Sequence, residues 1–444
     1  MSLKQNESEN KQEKTRLKRT LGLLETTVAG VGIILGVGIY ALIGKAAGIA
    51  GNATWLSFVI GAVVAAFTAL SYAELSSIFP KAGAEYVYTE RTFGRRLAFL
   101  VGWLIVIGTM FASATVSLGF AGYFTHLFQL ELPDMIIAAI LIALLSIINV
   151  YGIKESTVLA IIATIIEALG LFIIIVIGLP HLGAVSYFEM PPGATNADLF
   201  SAAALLFFAF LGFESVTRLA EETKNPEKTI PAATLLSLGF STIIYILVAF
   251  AAVSVIPWQH LAESSAPLAD VAHVALGEAT GIILTIIALF ATANTALLML
   301  VTDTRILYGM AESGVFPKSL KLAAVHAKRR TPWVAAVIVG ILSIAFLAFE
   351  DIKILANATD FTVFITFIVI NFAVVWIRYT QPDLHAPFRS PSLGKVPISA
   401  IVGAATSILL ALNVGQEVII GGIIIIISGI VLYEFVIKKI DGYQ

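Results

Sequence analysis

Twelve apolar runs, each near or above the roughly 18–20 residues that an α-helix needs to cross a bilayer, recur along the 444 residues. They lie near 22–48, 52–78, 97–124, 134–151, 155–179, 198–222, 232–256, 279–310, 332–349, 354–378, 397–413 and 417–437. In lipid every backbone N–H and C=O must be satisfied inside the protein, so such runs have to be helices; a barrel would read as short alternating strands. Composition agrees. The chain is 58% hydrophobic and 13% charged, against roughly 45–50% and about 25% in soluble domains. The fold class expected is therefore an all-α integral membrane protein with twelve transmembrane helices, and the lipid bilayer is its first partner.

Charge places the ends. Residues 1–21 are polar and close on the basic cluster Lys11 to Arg19, which reads as a disordered tail. Twelve spans put both termini on one side. Of the 27 Lys and Arg residues, only Lys45 and Lys353 fall on the opposite side. The positive-inside bias then assigns both termini to the cytoplasm of a multi-pass protein of the cell membrane. A net charge of −2 gives no pull toward nucleic acid. Cysteine is absent, and the six histidines lie in or beside hydrophilic connections. No metal site, cofactor or catalytic constellation is expected, so an enzyme is not the reading.

Two spans carry breaks. The first holds Gly30-Val31-Gly32-Ile33-Ile34-Leu35-Gly36-Val37-Gly38-Ile39-Tyr40, whose glycines each weaken a helix by about 1 kcal/mol relative to alanine. The sixth holds Phe207-Phe208-Ala209-Phe210-Leu211-Gly212-Phe213-Glu214-Ser215, a glycine and a carboxylate inside an aromatic run. A charge at that depth costs about 2.5–3.5 kcal/mol on insertion scales, so Glu214 requires a partner, a water-filled cavity or a proton. Spans 1 and 6 open two successive five-span blocks, 22–179 and 198–378, with 397–437 outside them. Interrupted helices at corresponding positions of two halves point to a transporter's midplane site. An unwound helix frees N–H groups on one side and C=O groups on the other. Together they suit an α-amino acid, which carries both charges.

The chain also resembles the amino acid–polyamine–organocation transporters, and within them the prokaryotic branch similar to cationic amino acid transporters. The resemblance covers spans 1 to 10. It rests on Gly32 to Tyr40, on Ser71-Tyr72-Ala73-Glu74-Leu75 and Phe79-Pro80-Lys81-Ala82-Gly83-Ala84-Glu85-Tyr86, and on Phe208 to Glu214 with Ala220-Glu221-Glu222-Thr223-Lys224-Asn225-Pro226. Span 8 adds Ala293-Asn294-Thr295-Ala296 and Arg305-Ile306-Leu307-Tyr308-Gly309. It implies a five-plus-five inverted repeat with broken helices 1 and 6, and alternating access. It implies that Gly36, Val37 and Gly38 face the substrate carboxylate, and that carbonyls near Ile33 and Phe208, with Ala209 and Gly212 beside them, receive the amino group. Phe208 matches an aromatic gate residue, and Glu214 a carboxylate tied to proton sensing. Two departures stand out. Val37 replaces the usual Ser or Ala between the glycines, and Glu167 stands where several relatives carry a lysine in span 5.

Glu167 is flanked by isoleucine, alanine and leucine and reads three ways: a permanently protonated carboxyl bonded to a neighbouring helix, a proton switch, or a cation ligand helped by Thr292, Asn294 and Thr295. The proton switch is the reading taken here, with sodium as the alternative coupling ion. Asn294 on its own fits an interhelical hydrogen bond. Glu74 and Asp303 are expected to pair with arginines such as Arg218 or Arg305. The connection 257–278 is either a lid over the outer vestibule or a plain surface loop. The function expected is secondary active transport of amino acids, as proton symport. Obligate exchange of amino acid against amine is the alternative within transporters, and a non-transporting sensor the alternative of another class. With no acidic residue beside Thr109, Ser113 and Thr115 of span 3, a neutral or broad substrate range is expected.

Overall fold

The computed structural model describes residues 19–80, 84–152, 157–312 and 316–434. Most of the tail expected over 1–21, and the end of the span expected to reach 437, lie outside the described residues. Among those described, all regular structure is helical apart from two isolated β-bridges. In chain order the helices are α1 (Leu23–Ile34), α2 (Val37–Ala50), α3 (Thr54–Ile78), α4 (Ala84–Phe93), α5 (Arg95–Phe128), α6 (Asp134–Tyr151), α7 (Thr157–Gly178) and α8 (Asn196–Leu206). After two 3₁₀ segments, Phe207–Phe210 and Glu214–Glu221, follow α9 (Pro226–Val255), α10 (Trp258–Glu263), α11 (Pro267–Leu276), α12 (Glu278–Glu312), α13 (Trp333–Phe346), α14 (Ile352–Thr380), α15 (Ile398–Ala411) and α16 (Gln416–Leu432).

Helix occupies each of the twelve ranges expected from sequence. Among the described residues, eight helices are long and apolar enough to cross a membrane, or nine if the bent pair α15 and α16 is one span. The expected spans 1, 9, 11 and 12 are not single long helices. The first span is split into 12 and 14 residues, α13 has 14, and α15 and α16, bent by 116°, have 14 and 17. Each piece alone falls short of the roughly 20 residues of a full crossing.

Numbered by those ranges, the spans pack reciprocally. Span 1 lies on span 6, 2 on 7, 3 on 8 and 4 on 9. Cross-pairs recur in the same exchanged form: 1 with 7 and 2 with 6, 3 with 9 and 4 with 8, 3 with 10 and 5 with 8. On the outside, Leu144, Ile147, Ile165, Phe172, Ile243 and Ile424 stand exposed, which for apolar side chains on spanning helices is the lipid face.

At the centre the aromatic run of span 6 is pinned on both sides. Phe207 meets Phe364 edge-on at 4.8 Å, Phe210 meets Tyr245 at 5.4 Å, and Phe213 meets Phe367 at 5.4 Å and Tyr72 at 5.9 Å. Each such pair adds about 0.5–1.5 kcal/mol beyond area burial. Packing is thus the role of Phe207, Phe210 and Phe213. Phe208 is buried too, yet among the described residues it stacks on no other ring.

Candidate functional site

Span 1 breaks at Leu35, whose ψ of 81° leaves the helix. Gly36 is extended and caps α2, so the first N–H groups of that half-helix, from Val37 and Gly38 onward, have no partner within it. Span 6 breaks after the Phe207–Phe210 turn, where Leu211 runs extended and Gly212 adopts φ +116°, a conformation that favours glycine. The Glu214 carboxylate reaches back and accepts from the Gly212 N–H, at 3.1 and 2.9 Å for its two oxygens. That side chain therefore holds the break in shape.

The two breaks cross in opposite directions at backbone contact. A Cβ on Gly38 would sit 2.5 Å from Ala209 Cα, and one on Gly212 would sit 2.9 Å from the Ile33 carbonyl oxygen. Tyr245 of span 7 ties them together: its hydroxyl is 2.6 Å from the Ile34 carbonyl and 2.8 Å from that of Ala209. One O–H carries one hydrogen, so it satisfies one of these carbonyls at a time and leaves the other with acceptor capacity. Beside them, Tyr40 of α2 donates to the Glu167 backbone carbonyl at 2.7 Å. Glu167 itself is buried, and its Oε1 has no hydrogen-bond partner. The crossing thus brings the start of α2 and the Ile34 and Ala209 carbonyls together around Tyr245.

The amino acid permease family model matches residues 21–434. A branched-chain amino acid permease of Bacillus subtilis, BcaP, is 32% identical over 442 residues, covering 95% of this chain and 94% of its own. The chain belongs to the amino acid permease family. This places it in the amino acid–polyamine–organocation superfamily of membrane transporters. The methylthioribose transporter of Bacillus subtilis is 29% identical, with 86% of each chain covered. The vacuolar cationic amino acid transporter 4 of Arabidopsis thaliana is 30% identical over 85% of this chain and 66% of its own.

Within the permease, the residues singled out from sequence fall as follows. Gly38, Ala209, Gly212 and the Ile33 carbonyl meet at the crossing. The Ile33 side chain also reaches the crossing, its Cγ2 2.8 Å from where a Cβ on Gly212 would sit, and is 40% exposed. A Cβ on Gly36 would lie 3.9 Å from both the Ile34 carbonyl oxygen and Thr295 Oγ1. Thr292 turns its hydroxyl to its own helix, to the carbonyls of Ala288 and Leu289, and Asn294 is half-buried in the same turn. The Phe208 carbonyl accepts from the Leu211 N–H at 3.3 Å.

At the end of the bundle where span 1 begins, ion pairs and backbone bonds join neighbouring spans. Arg218 of span 6 lies 3.5 Å from Glu85 of α4, which also receives the Tyr72 hydroxyl at 3.4 Å. The Leu21 and Lys224 backbones bridge the start of span 1 to the end of span 6. The pairing expected for Glu74 is corrected. It binds neither Arg218 nor Arg305 but Arg378, through Nε at 2.8 Å and Nη2 at 2.7 Å, because span 10 ends alongside span 2. Asp303, expected to pair in the same way, makes no ion pair with Arg218, and neither of its carboxyl oxygens has a hydrogen-bond partner among the described residues.

At the opposite end a cavity of about 410 Å³ opens between spans 1, 3 and 4 and the connections, lined among others by Lys45, Gly122, Asp134, Ser265 and Asp351. The connection 257–278 forms part of its wall. It is folded as α10 and α11, with Leu261, Leu268 and Val271 buried, and it packs so closely that a Cβ on Gly44 would overlap the Leu261 carbonyl.

Tyr245 was not legible as a site residue, since nothing in an apolar run marks which face turns inward. Tyr245→Phe keeps the ring against Phe58 and Phe210 but strands a buried carbonyl, a cost of about 1–3 kcal/mol. Transport is expected to fall roughly tenfold or more while the protein stays folded. Wild-type uptake by the variant would remove Tyr245 from the site.

Proposed function

We propose that the protein is a secondary active transporter that carries an amino acid across the cytoplasmic membrane by alternating access. In this reading it has twelve spans and a five-plus-five inverted repeat, with both termini in the cytoplasm. The observation that carries it is the crossing of two broken spans, with free N–H groups of α2 on one side and the Ile34 and Ala209 carbonyls, bridged by Tyr245, on the other. The exchanged packing of spans 1 to 4 against 6 to 9 supports the repeat.

The substrate carboxylate docks on the N–H groups of Val37 and Gly38, and its ammonium on the carbonyls at the breaks. Phe208, which no neighbouring ring holds, is the gate. A neutral side chain is the substrate class, supported by the relative named for branched-chain amino acids. In this reading the cavity beside Lys45 is the outer vestibule and the Glu85–Arg218 pair belongs to the inner gate.

The coupling ion is a proton. Glu167 is a buried carboxyl fixed beside α2 through Tyr40, and Glu214 shapes the second break. Both sit where gain or loss of a charge acts on a broken span. Uptake of a labelled amino acid panel into proteoliposomes tests this. An inside-alkaline gradient is expected to drive accumulation of a neutral amino acid, and Glu167→Gln to remove that response. Uptake only against internal unlabelled amino acid would replace symport by exchange. Binding without flux would replace transport by sensing.

A further inference from the structure

Among the described residues, two side chains inside the bundle have both carboxyl oxygens buried and neither in a hydrogen bond of ordinary geometry, Asp303 on span 8 and Asp360 on span 10. Both are fully buried. Asp303 has a cation within electrostatic reach, Arg218. Asp360 has none among the described residues; its helix packs on the turn where span 6 breaks, with Phe364, one turn along, against Phe207 at 4.8 Å, and the Phe208 backbone lies beside its carboxyl.

Among the described residues its surroundings offer no counter-charge. Span 2 brings Glu74, already held by Arg378. The Glu85 of α4 is held by Arg218, while Glu90 and Arg91 are exposed. Span 6 brings Glu214, bonded to Gly212, and Arg218, bonded to Glu85; Asp198 at its start is bonded to Thr195. Span 3 carries its charges, Arg95, Arg96 and His126, only at its ends, and meets this part of span 10 with Gly108. The α15 segment has no charged residue, and Glu417 stands at the start of α16. On its own helix the charges are again terminal, Asp351 and Lys353 at one end and Arg378 at the other.

A buried carboxylate with no cation and no completed hydrogen bond is the costliest state for this group, so the packing accommodates the neutral acid. The anion becomes tolerable once water and the Phe208 N–H reach it squarely, which requires the Phe207–Phe210 turn to move. We propose that Asp360 is a proton-binding site coupled to the span 6 break: it holds a proton while the Phe208 turn is packed against it and releases that proton when the turn moves. The carboxyl O–H bond breaks, the electron pair stays on the carboxylate, and water takes the proton. This rests on the proton-coupled transport reading above and adds to it a carrier on a different helix from Glu167.

The experiment compares wild type with Asp360→Asn, a fixed neutral mimic, in proteoliposomes and in infrared spectra of the purified full-length protein. Counterflow of a labelled neutral amino acid is expected to persist in the variant, while accumulation driven by an inside-alkaline gradient falls roughly tenfold or more. Unchanged gradient response, or loss of counterflow together with accumulation, would overturn the proposal. Counterflow by the wild type with no gradient response would overturn it and leave the transport reading standing. The infrared arm needs no substrate, so it reads even if the transport reading fails. The wild type is expected to show a protonated-carboxyl C=O stretch at neutral pH that Asp360→Asn lacks, and spectra identical in that region would overturn the proposal.

Discussion

Gly38→Ala is expected to lower amino acid uptake by roughly 100-fold or more, because a misplacement of only about 1 Å in a positioning element is enough for that. The new Cβ would stand 2.5 Å from Ala209 Cα and 2.8 Å from Ala209 N. Ordinary carbon–carbon contact is at about 3.5–4.0 Å. Both obstructing atoms are backbone, so no rotamer change relieves the overlap. Either α2 withdraws from the span 6 turn or the turn is displaced, and each outcome moves the N–H groups away from the carbonyls that face them. Overpacking of this kind costs about 1–3 kcal/mol, which the rest of the bundle can absorb; the loss should appear in transport before folding.

Gly36→Ala supplies the control. Its backbone is extended, with φ −121°, so alanine adopts it freely. Its added Cβ would find nothing nearer than 3.9 Å. That variant is expected to fold like wild type and to change only substrate affinity. Parallel measurements of uptake and of thermal stability in detergent decide the matter. Uptake by Gly38→Ala within a few-fold of wild type would mean that the crossing of the two breaks does not hold the substrate.

How much of this was legible in the sequence depends on the kind of signal. The breaks in spans 1 and 6 could be read because glycine and a buried carboxylate are costly inside an apolar run, whatever surrounds them. The facing of individual side chains could not. One residue along a helix turns a side chain by about 100°, and this separates Ile34, whose carbonyl Tyr245 binds, from Ile33, whose carbonyl meets Gly212 instead. Tyr245 and Asp360 lie in long apolar spans where the pattern gives a crossing but not a rotation. The relation between Asp360 and the Phe208 backbone exists only once spans 6 and 10 are docked. Glu74 was recognisable as a charge in need of a partner, but several arginines lie at the same end of the bundle, and only the packing of span 10 on span 2 selects Arg378.

That selection leads to the second large effect, on stability. Arg378→Ala is expected to destabilise the protein by about 3–5 kcal/mol, the usual cost of stranding one partner of a buried ion pair. The side chains are 11% and 3% exposed for Arg378 and Glu74. The pair is closed by a third residue. Ser390 donates its N–H and hydroxyl to Glu74 Oε2 at 2.9 and 2.6 Å, and its carbonyl accepts from Arg378 Nη2 at 2.9 Å. The cluster thereby fixes spans 2 and 10 and the connection that leads to span 11. Removing the guanidinium leaves a carboxylate that two Ser390 donors only partly satisfy. Most of the cost is that residual charge, so Glu74→Gln combined with Arg378→Met should recover a large share of it. The pair Arg96–Glu434, with side chains 64% and 28% exposed, is the contrast, and Arg96→Ala should cost only about 0–1 kcal/mol. Thermal unfolding of the four proteins in one detergent separates the alternatives. If Arg378→Ala costs no more than Arg96→Ala, the Glu74 cluster is not what holds spans 2 and 10 together at that end.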